Sequence, residues 1–114
     1  MVNPSGRKGA DFERKCAEYL ADIFPGVERR VKNGRMDRGD ITGLPNVVIE
    51  CKAERQIDLP GYLAELEVEQ KNDDALFGFV FVKNRQHSVE DGYAVLSIRR
   101  ARTLLALLRD KGLL

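Results

Sequence analysis

The stretch that decides the fold is "RGDITGLPNVVIECK", residues 38–52. It reads as a β-hairpin: a short strand over about 38–43, a turn at Gly43-Leu44-Pro45-Asn46, and a second strand over about 46–53. Side chains alternate faces along a strand, so Val47, Ile49 and Cys51 share one face and Val48, Glu50 and Lys52 share the other. The first set can pack on a helix. The second brings a carboxylate and an ammonium together at the end of the strand, beside Asp40 of the paired strand. Burying an unpaired carboxylate is costly, and two adjacent ones repel. Two readings follow. Asp40, Glu50 and Lys52 form a surface ion pair on an edge strand, or the two acids hold a divalent cation. Hard oxygen ligands on a rigid sheet are what Mg²⁺ or Mn²⁺ uses. A lysine beside such an ion stabilises developing negative charge or helps deprotonate a bound water, parts that suit attack of water on a phosphodiester.

Working outward, Phe12, Cys16, Leu20 and Ile23 recur at helical spacing, which predicts a helix from about Gly9 to Phe24, ended by Pro25-Gly26. Residues 1–8 read as a mobile basic arm, 27–32 as a short strand and Asn33-Gly34 as a turn. Downstream, Asp58 is a good N-cap with Pro60 in the first turn of a helix reaching about Asp73. "ALFGFVFV", residues 75–82, is apolar on both faces and predicts a central buried strand. A polar loop (85–92), a strand (93–98) and a Leu-rich closing helix with Gly112 as its cap complete the chain. The order predicts an α/β domain with a mixed central sheet flanked by helices. The whole chain, 1–114, reads as a single domain, with a core over 9–83 and a closing strand and helix over 93–114.

Composition narrows the class less than charge placement does. Nineteen Lys and Arg against eighteen Asp and Glu leave a net charge of +1, which by itself predicts no polyanionic partner. The cations are clustered, however. Arg29, Arg30, Lys32, Arg35 and Arg38 fall within ten residues, and Arg7 and Lys8 lie near the start. Such clusters are either solvated loops or a local phosphate-binding surface on a nearly neutral protein. Cys16 and Cys51 lack zinc-site spacing and read as small, reduced core residues, which with no secretory h-region suggests a cytoplasmic protein. No apolar run is long enough to span a bilayer, so no membrane is expected. His87, the single histidine, falls in a polar loop and reads as surface.

Two further polar residues sit on helix faces that should be buried. Glu13 borders the stripe of Cys16, Ala17 and Leu20, and Gln70 lies four and seven residues after Leu66 and Leu63. Glu13 is either an ordinary acid favoured by the helix dipole or a partner for the hairpin site. Gln70 either bonds backbone or faces that site. Asp37 is an alternative to Asp40 as a ligand, but the alternation with Ile41 favours Asp40.

Asp40 followed by Glu50-Cys51-Lys52 resembles the metal site of the PD-(D/E)XK nuclease superfamily, with its "PD" written here as Gly39-Asp40. "RKGADFERKCAEYL", residues 7–20, is similar to the opening of archaeal and phage Holliday-junction resolvases, where a helix supplies a further acid. The resemblance covers roughly residues 6–83; from Val89 to Leu114 no family motif is matched. It implies a restriction-endonuclease-like αβββαβ core. It also implies a structure-selective, Mg²⁺-dependent endonuclease, with Mn²⁺ substituting, that resolves four-way DNA junctions in recombination or repair as a homodimer. In a phage-encoded protein the site of action would be the host cytoplasm. By residue, it implies that Asp40 and Glu50 hold the metal, joined by the backbone carbonyl of Cys51. Lys52 orients the attacking water and faces the scissile phosphate. Glu13 binds a second metal or a metal-bound water. Arg7, Lys8 and Arg14 meet phosphates, with Arg29, Arg30, Lys32, Arg35 and Arg38 extending the DNA surface. Gln70 matches a catalytic glutamine of some branches, including the virus-type repair nucleases; archaeal resolvases do not generally have it. The remaining readings are a nuclease of this fold acting on flaps, forks or duplex, and a non-catalytic DNA-binding module.

Overall fold

The computed structural model describes residues 4–31 and 37–114. The predicted Asn33-Gly34 turn and the cations Lys32 and Arg35 lie outside the described residues, as does the side chain of Arg7. The elements run α1 (Pro4–Ala21), β1 (Glu28–Arg29), β2 (Ile41–Thr42), β3 (Val47–Lys52), α2 (Leu59–Asn72), β4 (Phe77–Val82), a single 3₁₀ turn at Val89–Asp91, β5 (Tyr93–Val95) and α3 (Ile98–Asp110). They form one five-stranded sheet in the order β1-β2-β3-β4-β5. Only β3 and β4 run parallel, in the register Val47↔Phe77 through Lys52↔Val82; the other pairs are antiparallel, so the sheet is mixed. The α/β class and the element order predicted from the sequence are both observed.

The alternation along β3 sorts the core into two layers. Ile49, with Val47 and Cys51 beside it, packs against Phe12, Cys16 and Ala17 of α1. Val48, on the opposite face, packs with Val80 and Val82 of β4 against Tyr62 and Leu66 of α2. Val48 and Val80 are fully inaccessible, and burying each stabilises the fold by about 1.5–3 kcal/mol. The hairpin turn depends on Gly43, whose φ of +100° favours glycine and whose added Cβ would fall 2.1 Å from the Gly26 carbonyl oxygen. The helix ends follow local chemistry. Asp58 Oδ1 accepts the Gly61 N–H at 3.1 Å to start α2, and Ser97 Oγ accepts the Arg100 N–H at 3.2 Å to start α3.

Four expectations are corrected. Residues 4–8 are the first turns of α1, not a mobile arm, because Pro4 suits a helix start. The same helix stops at Ala21, so Ile23 lies beyond it and is 69% exposed instead of extending the buried stripe. The last strand ends at Val95, because Ser97 caps a helix that Ile98 already begins. Finally, β4 is buried on one face only. Gly78, Val80 and Val82 lie under α2, whereas Phe77, Phe79 and Phe81 are half-buried, since α1 lies over β1 and β3 and leaves β4 partly open on that side.

Candidate functional site

The C-terminal ends of the parallel pair β3 and β4 open into a cleft of roughly 920 Å³. Ligand sites in open α/β sheets favour this edge, because the loops leaving parallel strands diverge there. Glu13 of α1, Asp40, and Glu50, Cys51 and Lys52 of β3 all line the cleft. These are five of the residues singled out by sequence, brought together from three separate segments. Each is fixed by the fold around it. Asp40 is 1% exposed and held from both sides by backbone: its N–H donates to the Ile49 carbonyl at 2.8 Å, and its carbonyl accepts the Arg30 N–H at 2.8 Å. Its carboxylate Oδ2 accepts the Cys51 N–H at 2.7 Å, which locks the acid against the last residues of β3. Glycine precedes it for a reason. Gly39 has a φ of +96°, and a Cβ there would come within 2.8 Å of Val48 Cγ1 and 3.0 Å of the Ile49 carbonyl oxygen. Proline, fixed near φ −65°, cannot adopt that conformation, so a Gly-Asp pair is what this backbone requires.

Glu50 faces α2 and meets an acid that the sequence reading missed. Glu69 is 2% exposed, and no hydrogen-bond donor among the described residues reaches either of its carboxylate oxygens or Glu50 Oε2. Carboxylate oxygens of Asp37, Glu50 and Glu69 lie within 4.8 Å of one another, a cluster able to hold a metal ion. Burial pushes the Glu50 carboxyl up to about 10, reinforced by the shared contact with Glu69 and the nearby charge of Asp40, with Lys52 opposing. Burial also raises Glu69, while its contact with Glu50 works the other way and Asp37, Asp40 and Glu65 add to the rise. Two buried carboxyls in contact, both raised by burial and with oxygens that no donor among the described residues reaches, form a site that a hard divalent ion fits. The signal for Glu69 was present in the sequence. It falls three residues after Leu66 and seven after Tyr62, on the same inward stripe that drew attention to Gln70.

Lys52 is held on the α2 side. Its Nζ lies 2.8 Å from Glu65 Oε2, 3.7 Å from Glu50 Oε1 and 4.0 Å from Glu54 Oε1, and 5.2 Å from the centre of the Tyr62 ring. Tyr62 is itself fixed by donating to Glu54 Oε2 at 2.7 Å and to the Gln56 carbonyl at 3.1 Å. Burial disfavours the charged ammonium, but Glu65, Glu50 and Glu54 outweigh it and hold the pKa above its ordinary value. Behind the site, Cys16 and Cys51 are free thiols. Contact with Cys16 and burial push the Cys51 thiol far up, which keeps it an inert core group.

The remaining candidates divide. Lys8 lines the cleft, and Arg29 Nε approaches Glu13 Oε1 at 3.7 Å. Arg30 is half-buried and Arg38 exposed; neither lines the cleft. Arg14 points elsewhere, paired with Asp11 at 2.6 Å and Glu18 at 4.0 Å on an exposed face of α1. Gln70 does not line the cleft. Its Nε2 donates to the Ala75 and Leu76 carbonyls, each at 3.2 Å, tying the end of α2 to the start of β4. Of its two sequence readings, the backbone-bonding one describes what is observed. Three cleft cations were missed by sequence: Arg55 after β3, and Lys83 and Arg85 after β4. Among the described residues no helix is long and apolar enough to cross a membrane. Comparison with family models, with curated proteins and with solved structures gave no match.

Proposed function

We propose that the chain is a metal-dependent endonuclease of the PD-(D/E)XK type that acts on branched DNA, with the four-way junction as its substrate. The observation that carries this reading is the convergence of Glu13, Asp40, Glu50, Cys51 and Lys52 in one cleft at the ends of β3 and β4. The observed αβββαβ order of the first six elements agrees with a restriction-endonuclease-like core. Asp40 and Glu50, with the Cys51 carbonyl, would hold Mg²⁺, and Glu13 would reach it or a water bound to it. A bound divalent ion would supply charge neutralisation at a phosphodiester and a bound water more acidic than bulk water.

The chain's own groups then have distinct tasks. Asp40, fixed by its bond from the Cys51 N–H, sets the position of the acidic floor. Lys52, kept protonated by its carboxylate neighbours, is suited to stabilise the charge that develops on the phosphate, and not to act as a base. Glu69 shares Glu50 with the first ligand set and offers a second arrangement, in which Asp37 and Glu69 replace Asp40. Paired cuts in opposed strands need two sites, so the active species is a homodimer related by a twofold axis. The half-buried Phe77, Phe79 and Phe81 face and the exposed Leu105 of α3 offer apolar surface for it.

Cleavage of a four-way junction, a flap, a fork and a linear duplex, each with Mg²⁺ and with EDTA, tests the reading. The expected result is Mg²⁺-dependent paired cutting with preference for the junction, by a protein that light scattering shows to be dimeric. Preference for flaps or forks would move the substrate assignment within the same chemistry. Binding without metal-dependent cutting of any substrate would leave a DNA-binding module.

A further inference from the structure

Five cations of the described chain are neutralised by carboxylates of the chain itself: Arg14, Arg29, Lys52, Arg100 and Arg109 each have an acid within 4.0 Å. The other eleven described cations have no such partner among the described residues, and four of them lie together. Lys8, Arg55, Lys83 and Arg85 make no ion pair among the described residues, and all four line the cleft that holds the acidic site. They reach it from two directions, Lys8 from α1 and the other three from the loops that follow β3 and β4. Four cations without an ion pair on the rim of one cleft make a local positive surface that a polyanion can bridge.

The position of Lys83 is fixed by the sheet. Its N–H donates to the Lys52 carbonyl at 2.9 Å, continuing the parallel ladder one step beyond Lys52↔Val82. The loop after it turns at Gln86, whose φ is +64°, and Asn84 Nδ2 ties it to the Asp91 carbonyl at 3.2 Å. The basic loop therefore leaves β4 in a defined direction beside the proposed catalytic lysine.

We infer that Lys83 and Arg85, with Arg55 and Lys8, grip the DNA strand being cut through the phosphates that flank the scissile one. This rests on the nuclease reading for the identity of the central phosphate, but the grip itself is a binding property. The cations hold the strand across the acidic floor, which a bound divalent ion would make acceptable to a phosphate. These residues, rather than Arg14, form the strand-binding surface nearest the chemistry.

The test is binding of a fluorescently labelled four-way junction in EDTA, where nothing is cut, across a salt series. The proteins are the wild type, Lys83→Ala/Arg85→Ala, and Arg102→Ala on α3 as a control away from the cleft. Each lost phosphate contact lowers the slope of log K against log salt by about 0.7–0.9, so the double variant should lose about 1.4–1.8 from the slope and at least about tenfold in affinity at low salt. The control should bind as wild type does. With Mg²⁺ the double variant should raise KM while kcat at saturation is kept, a split that a general loss of structure would not give. Lys83→Arg/Arg85→Lys, which keeps both charges, should restore most of the slope. If the double variant binds with unchanged slope and affinity while the wild type cuts, this inference fails and the nuclease reading stands. If the slope falls as expected but no protein cuts in Mg²⁺, the grip stands and the nuclease reading fails. A wild type that does not bind DNA overturns both.

Discussion

Replacing Glu50 by Gln should stabilise the metal-free protein while abolishing its proposed activity. The Glu50 carboxyl is 5% exposed and held up to about 10, against an ordinary 4.5. In the unfolded chain it ionises near the ordinary value. Between these limits the folded state binds a proton that the unfolded state has released, so stability is greatest in acid and falls as pH rises. One fully uncompensated proton is worth about 1.4 kcal/mol per pH unit, an upper bound of about 4 kcal/mol between pH 5 and pH 8. Because Glu69 shares the proton, the titration belongs to the pair and the loss should be nearer 2–3 kcal/mol. Gln keeps the shape of Glu50 and can donate to Glu69, but it needs no proton taken up on folding. At pH 8 in EDTA, Glu50→Gln should therefore be more stable than wild type by about 2–3 kcal/mol, a rise in Tm of roughly 10 °C for a chain of this size. Its Tm should also vary less with pH. Adding Mg²⁺ at about 100 times Kd should stabilise the wild type by about 2.7 kcal/mol and the variant hardly at all. Thermal melts by circular dichroism at pH 5 and pH 8, with EDTA or Mg²⁺, read all of this. A Glu50→Gln protein that melts below wild type at pH 8 in EDTA would refute the claim that the acid is kept at a cost to the fold.

Three further outcomes follow from the same geometry. Asp40→Asn should lose cutting and Mg²⁺-induced stabilisation, with junction binding retained, whereas Glu69→Gln should keep cutting; the reverse pattern in a cleavage assay would move the metal to the Asp37–Glu50–Glu69 set. Lys52→Ala should keep Mg²⁺-induced stabilisation but cut about 10²-fold more slowly in single-turnover kinetics, the usual loss on removing one electrostatic stabiliser. Gly39→Ala places a Cβ 3.0 Å from the Ile49 carbonyl oxygen at a left-handed φ, and should cost about 2–3 kcal/mol in chemical denaturation; Gly39→Pro, which also removes the N–H given to Asp37 Oδ1, should cost more.

What the sequence made legible was local or periodic. Alternation along β3 sorted Val48, Glu50 and Lys52 onto one face correctly, because the period of a strand is fixed by its geometry alone. Asp58 was readable as a cap because capping needs only its own helix. The misreadings have a different origin. Lys83 and Arg85 belong to the site only because β4 lies parallel to β3 and in register with it, and nothing in a polar loop announces where its strand will dock. Gln70 and Glu69 occupy adjacent positions on one inward stripe, and periodicity marks both equally. Which of them meets the cleft acids and which bonds the Ala75 and Leu76 carbonyls depends on the packing of α2 over β3 and β4. Arg14 shows the converse: a cation in a motif-like stretch that its own helix neutralises.

The acids themselves explain why the site is where it is. A carboxylate cluster weakens any fold that buries it, so it must be carried by elements that other contacts overdetermine. β3 is such an element. It is hydrogen-bonded on both sides, to β2 and β4, and buried under α1 on one face and α2 on the other. Glu50 and Lys52 sit at its last turns of alternation, where the apolar layers end and the parallel strands open to solvent, so each can be anchored by the core and still reach the cleft. Asp40 reaches the same place on a lead-in to β2 that backbone bonds to Arg30 and Ile49 hold in position. Rigid support from three directions lets the chain hold buried carboxyls in one geometry, and a divalent cation would bind there by displacing the proton that burial keeps on Glu50.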